Sequence, residues 1–142
     1  MADDLATRVA NHLAQLAAKM SGEVHVGFLE GATYPDGTPV AAVAYWNEYG
    51  ASGPPRPFFR GMIAQESPGW GDKLKGALQF TDNDGEKALR IMGEDIQGAL
   101  IQSINDFTTP ALAKSTIKRK GFDKPLIDDG VMVNSTGIEV VK

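Results

Sequence analysis

From Leu89 to Phe107 apolar side chains return every three or four residues, at Leu89, Met92, Ile96, Leu100, Ile104 and Phe107. That period draws one continuous stripe down an α-helix running from about Glu86 to Phe107. In a chain of 142 residues a helix this long is the element around which the rest must be arranged. The polar run Asp82-Asn83-Asp84-Gly85 supplies a turn and a cap before it, and Pro110 ends it.

A second stripe lies at the start. Leu5, Val9, Leu13, Leu16 and Met20 predict a first helix, with Asp3 and Asp4 suited to the positive end of its dipole. Ser21-Gly22 stops it, with Gly22 expected as the C-cap. Val24, Val26 and Phe28 alternate with Glu23, His25 and Gly27, the pattern of a half-buried strand. Glu30 to Pro39 is a loop, with Pro35-Asp36-Gly37 as its turn. Val40 to Tyr49 suits a short helix by its alanines, although Val40 and Val43 would also suit a strand; helix is the reading adopted.

Gly50 ends that helix, and Gly50 to Pro57 carries two glycines and three prolines, so it is irregular and stiff. Phe58 to Gln65 starts another helix, broken at Pro68-Gly69, and Trp70 to Phe80 is read as one more. Asp128-Asp129-Gly130 is a further turn, and Ile138 to Val141 is a closing strand. The expected fold is α+β. A small, mostly antiparallel sheet, from strands near 24–28 and 138–141 with one more allowed, is packed by the N-terminal helix and the long central one. One domain spans 1–142, large enough to bury roughly two thirds of its extended surface.

Composition removes several function classes. The chain has no cysteine, so it has neither a disulfide frame nor a thiolate metal site, which fits assembly in a reducing compartment. Its opening lacks the basic and apolar regions of a secretory signal, and its longest apolar stretches are too short to span a membrane. A net charge of −4 argues against a general nucleic-acid binder. The charge is uneven: residues 1–112 hold eight basic and fourteen acidic side chains, whereas 113–142 hold six and four. The basic excess lies at Lys114, Lys118, Arg119, Lys120 and Lys124. That segment reads either as a solvated loop or as a surface that docks on acidic protein or brushes DNA phosphates. With Phe122 its only aromatic, stacking on single strands is not expected.

Catalytic patterns are thin. His12 and His25 have no neighbours at metal-ligand spacing and read as surface or half-buried histidines. Asp82, Asp84 and Glu86 fail the spacing of a calcium loop and suit a helix N-terminus instead. Gly50-Ala51-Ser52-Gly53 is not a nucleophile elbow. Asn134-Ser135-Thr136 matches a glycosylation sequon by chance. No catalytic, cofactor-binding or metal residue is assigned, and the chain is read as not an enzyme.

One stretch carries more information. Tyr45, Trp46, Tyr49, Phe58 and Phe59 are five of eleven aromatics, set within fifteen residues. Aromatic clusters of this kind serve cores and interfaces alike. Glu48, Arg56 and Arg60 lie among them, where a carboxylate–guanidinium pair can pin the proline loop. The cluster is read either as an internal staple or as a preorganised contact with neighbouring subunits.

Val43-Ala44-Tyr45-Trp46-Asn47-Glu48-Tyr49-Gly50, followed by Pro54-Pro55-Arg56-Pro57-Phe58-Phe59-Arg60, resembles the signature of the neck and tail-completion family of tailed bacteriophages. Members carry a helix ending in Asn-Glu-aromatic-Gly and then a proline-framed Arg-Pro-Phe. Lys124-Pro125-Leu126-Ile127-Asp128-Asp129-Gly130, with Asn134-Ser135 after it, looks like that family's later element, and Ala113 to Gly121 matches it in type. The likeness covers roughly 40–60 and 112–141. Asp129 departs from the usual threonine, Val131-Met132-Val133 from a more polar helix start, and Thr136-Gly137 from an apolar pair.

The resemblance implies a structural virion protein that completes the tail end and joins tail to head around the DNA channel. It would be assembled in the bacterial host cytoplasm and located at the neck. It implies a homo-oligomeric ring, sixfold by expectation, that meets a head-closure or connector ring, a tail terminator and the tail tube. It implies no cofactor and no membrane. Tyr45, Trp46, Asn47, Glu48, Tyr49, Arg56, Pro57, Phe58, Phe59 and Arg60 become the expected protein interface. An acidic subunit suits a channel through which DNA slides without specific binding. The alternatives are a tail terminator ring and, in another class, a small cytoplasmic nucleic-acid-binding regulator using the basic segment.

Overall fold

The computed structural model of the chain describes residues 4–51, 53–106 and 130–142. The basic segment from Lys114 to Lys124, the element Lys124 to Asp129, Phe107 and Pro110 lie outside the described residues. In chain order the elements are α1 (Leu5–Met20), β1 (Glu23–Phe28), α2 (Val40–Tyr49), α3 (Phe58–Glu66), a 3₁₀ turn (Ser67–Gly69), α4 (Trp70–Phe80), α5 (Gly85–Asp106), α6 (Val131–Asn134) and β2 (Thr136–Val141). This is an α+β fold.

Among the described residues the sheet has two strands, antiparallel, with Val24 opposite Val140, Val26 opposite Ile138 and Phe28 opposite Thr136. Those pairs form the face that meets α5. The approach is close: a Cβ on Gly93 would lie 2.7 Å from Val24 Cγ2. The other face is polar. His25 sits there between two carboxylates, its Nε2 3.0 Å from Glu23 Oε1 and its Nδ1 3.6 Å from Glu139 Oε2. The further strand allowed by the sequence does not occur among the described residues.

Helix α5 is the organising element, as its stripe predicts. Met92, Leu100 and Ile104 are buried, and so are Ala88 and Gly93, the latter where the sheet comes too near for a side chain. Leu100 and Ile104 join Val40, Ala44, Phe58, Met62 and Met132 in one core, with Val26, Phe28 and Trp70 packed around it. Asp84 caps α5 by accepting from Lys87 N at 3.1 Å, which accounts for the acidic run before it. Asp82 and Asn83 take positive φ in that turn, where short polar side chains tolerate the left-handed region.

The Pro35-Asp36-Gly37 turn forms as expected: Gly37 N donates to Tyr34 O and Tyr34 N to Thr38 O, both at 2.9 Å. The end of α1 differs from expectation. The chain leaves the helix at Ser21 in an extended conformation, so Gly22 is not a left-handed C-cap. Glycine is needed at 22 for another reason. Its φ is +135°, and a Cβ there would lie 2.9 Å from Val141 O. Near the other terminus, Gly130 at φ +72° leads into α6, and Met132 drops into the core at 2% exposure. Residues Val131–Asn134 are therefore helical despite their departure from the polar helix start.

Candidate functional site

Helix α2 runs into the proline loop and α3 returns beside it, so the residues singled out in the sequence come together. Gly50 closes α2 at φ +79°, donating from its N–H to Trp46 O at 2.8 Å. No other residue fits: a Cβ there would stand 2.8 Å from Gly53 O and 2.9 Å from the Pro55 ring. The loop is then tied back to the helix by Arg56 N, which donates to Asn47 O at 2.6 Å. Asn47 Nδ2 in turn donates to Val43 O at 2.9 Å.

Glu48 is the centre of this corner. Its side chain is 7% exposed. Helix α3 begins directly after Pro57, which has no side-chain acceptor, so its first N–H groups need one from elsewhere. Glu48 provides it. Oε1 accepts from Phe59 N at 2.8 Å, and Arg60 N lies 3.4 Å from both carboxylate oxygens. The carboxylate thus caps α3 from the preceding helix, at the end where the helix dipole favours negative charge.

The guanidinium that balances Glu48 belongs to Arg60. Its Nε donates to Glu48 Oε2 at 2.9 Å and its Nη2 to the Glu48 carbonyl at 3.0 Å. Arg60 Cζ also lies 4.4 Å from the centre of the Tyr49 ring, and Tyr49 lies 4.8 Å from Tyr45, centroid to centroid. A cation over an aromatic face is attractive. Arg60, Tyr49 and Tyr45 therefore form a surface column.

Arg56 is placed differently. It makes no ion pair among the described residues, and its Nε is buried without a hydrogen-bond partner. It lines a shallow pocket of about 130 Å³ together with Val43, Trp46, Asn47 and Pro54. A donor left in this state is unfavourable unless something supplies an acceptor.

The residues expected at an interface thus divide. Phe58 is 1% exposed and belongs to the core, and its carbonyl accepts from Ser103 Oγ at 2.7 Å. Phe59 is half-buried and packs edge-on against Phe28 at 6.4 Å. Glu48, Asn47 and Pro57 serve the corner internally. Tyr45, Trp46, Tyr49 and Arg60 are exposed, and Arg56 opens beside them. Sequence reasoning placed Glu48 with both arginines but missed its capping role. The signal was there: a helix that starts after proline with no Ser, Thr, Asp or Asn at its cap must borrow an acceptor.

His12 is exposed on α1, and Asn134-Ser135-Thr136 ends α6 with Ser135 and Thr136 buried. Gln97 Nε2 donates to Thr136 O and Oγ1. Among the described residues no group of three histidine or carboxylate side chains converges as a metal site, and no helix is long and apolar enough to cross a membrane. No protein-family model, curated protein or solved structure matches the chain.

Proposed function

We propose that this chain is a structural subunit of a tailed-bacteriophage neck, completing the tail end and joining it to the head. The observation that supports this reading is the braced corner. The described residues between Val43 and Arg60, the first stretch that resembles the family signature, form one preorganised unit, in which buried Glu48 fixes the turn between α2 and α3. That unit holds Tyr45, Trp46 and Tyr49 outward beside Arg56, whose Nε has no acceptor among the described residues. Rigid aromatics and arginine around an unsatisfied donor are what a protein partner uses, because little side-chain freedom is lost on binding.

The work of such a subunit is geometric, without cofactor or catalysis: it packs against copies of itself and against neighbouring rings, and leaves a passage for DNA. The test is reconstitution. Heads and tails from particles that lack this protein are mixed with the purified chain, and joined particles are counted by electron microscopy. Joining that depends on the added protein is the expected result. Heads and tails that join equally well without it would overturn the reading. A map of the joined particle then separates tail completion from a terminator ring.

A further inference from the structure

Helix α1 has sixteen residues, and none is buried. Its apolar stripe is open, with Leu5 70%, Val9 48% and Leu13 58% exposed. A helix of this length is marginal alone in water, and an amphipathic one normally gains its stability by covering that stripe. The last turn of α1 meets the body. A Cβ on Gly85 would stand 2.6 Å from Met20 Cα, and Lys19 Nζ donates to Asp82 O at 2.9 Å.

The charge on α1 indicates what covers it. Between Leu5 and Met20 there is no carboxylate, and Arg8, His12 and Lys19 lie along one flank of the stripe at helical spacing. Arg8 has no ion pair among the described residues. The body is the opposite: residues 21–106 hold six basic and twelve acidic side chains. Within that body, α3 and α5 enclose an open groove of about 370 Å³, lined by Met62 and Ala99 together with polar Gln65, Gln102 and Ser103 and the carboxylates of Glu66 and Asp106. Neither carboxylate forms an ion pair among the described residues.

In its own chain α1 does not line this groove. α1 is held at Gly85, the first residue of α5, whereas the groove lies along the last two turns of the same helix, roughly 20–30 Å away at 1.5 Å per residue. The geometry points to α1 of one copy seating in the α3–α5 groove of the next, with Arg8 facing Glu66 and Asp106. This proposal rests on the reading of the chain as a ring subunit. It makes the contact head-to-tail, so that every copy gives one helix and receives one, the pattern that closes rings.

The absence of cysteine permits a direct test. Single-cysteine variants Leu13→Cys and Gln65→Cys are mixed and treated with a short bismaleimide, both free at high concentration and within reconstituted particles. The expected product is the mixed Leu13–Gln65 cross-link, in clear excess over Leu13–Leu13. Adding Arg8→Glu should lower its yield about tenfold, and Glu66→Lys with Asp106→Lys on the receiving copy should restore it. A dominant Leu13–Leu13 product would overturn the proposal in favour of paired α1 helices. So would α1 bound to anionic phosphatidylserine vesicles with no mixed cross-link. Particles that join but lack the mixed cross-link would overturn the seating and leave the neck assignment standing. A mixed cross-link in a chain that joins nothing would do the reverse.

Discussion

Helices α1 and α5 look alike in the sequence and fare differently in the fold. Each has an apolar stripe at the same spacing, and each follows an aspartate that caps it, Asp4 accepting from Thr7 N at 2.8 Å and Asp84 from Lys87 N at 3.1 Å. The stripe of α5 is covered by the sheet, α3 and α4; that of α1 is left open from Leu5 to Leu13 and meets the body only toward its C-terminal end among the described residues. Periodicity shows that a face is built to be covered, but it does not name the cover. For α5 the cover is this chain, and for α1 we assign it to another copy.

The sharpest way to break this contrast is to shorten one leucine in each helix. Leu100→Ala, at 0% exposure, should cost about 2–5 kcal/mol. Leu13→Ala should stay within about 0.5 kcal/mol in the isolated protein. Urea unfolding of both variants at low concentration is the measurement, and equal losses would mean that α1 is packed in the free chain after all.

Next in size is the corner. Glu48→Ala removes a charged acceptor from two N–H groups and from Arg60, and should lower stability by about 2–3 kcal/mol in the same titration. Arg60→Ala should cost less than about 1 kcal/mol, because that side chain is half exposed and its ion pair is partly solvated. If the two losses were equal, the cap would count for nothing beyond the ion pair.

Arg56→Ala should leave the melting temperature nearly unchanged, since its guanidinium has no partner among the described residues to lose. The same variant should fail to join heads to tails in the reconstitution assay. A large drop in melting would make Arg56 part of the internal brace, and normal joining would remove it from the interface.

The smallest effect belongs to the cap of α1. The hydrogen bond from Thr7 holds the Asp4 carboxyl below its ordinary range. A depressed folded value means that the contribution is present above the unfolded pKa, roughly 4, and is lost as pH falls through the folded value. Circular dichroism between pH 5 and 2 should show a small loss of helix in the native protein that is absent in Asp4→Ala, a comparison that sets aside the protonation of all other carboxylates.

Much of the fold was legible because the chain punctuates its elements strongly. Pro39, Gly50, Pro57 and the Pro68-Gly69 pair stand at or just outside the boundaries they predict, since each either removes an N–H donor or permits a left-handed turn. The choice between Val40–Tyr49 as helix or strand came out as helix, with Val40, Ala44 and Glu48 buried at four-residue steps. What was not legible depends on loop shape. Sequence alone could not tell whether Glu48 would meet Arg56 or Arg60, because the path of three prolines decides which guanidinium arrives. Gly22 was misread as a cap because a requirement imposed by β2, more than a hundred residues away, resembles a local one. The aromatics divided between core and surface for a similar reason. Phe58 faces inward and Trp46 outward only once α3 has been turned back on α2.

The contact at Gly85 has a mechanical side. It leaves no room for a side chain and so acts as a fulcrum, from which α1 extends about 24 Å as a rigid arm. A tilt of about 10° at that point sweeps the tip near Leu5 through roughly 4 Å, with no rearrangement of the core. In the head-to-tail contact proposed above, such an arm would let neighbouring copies take up small differences in spacing at little cost.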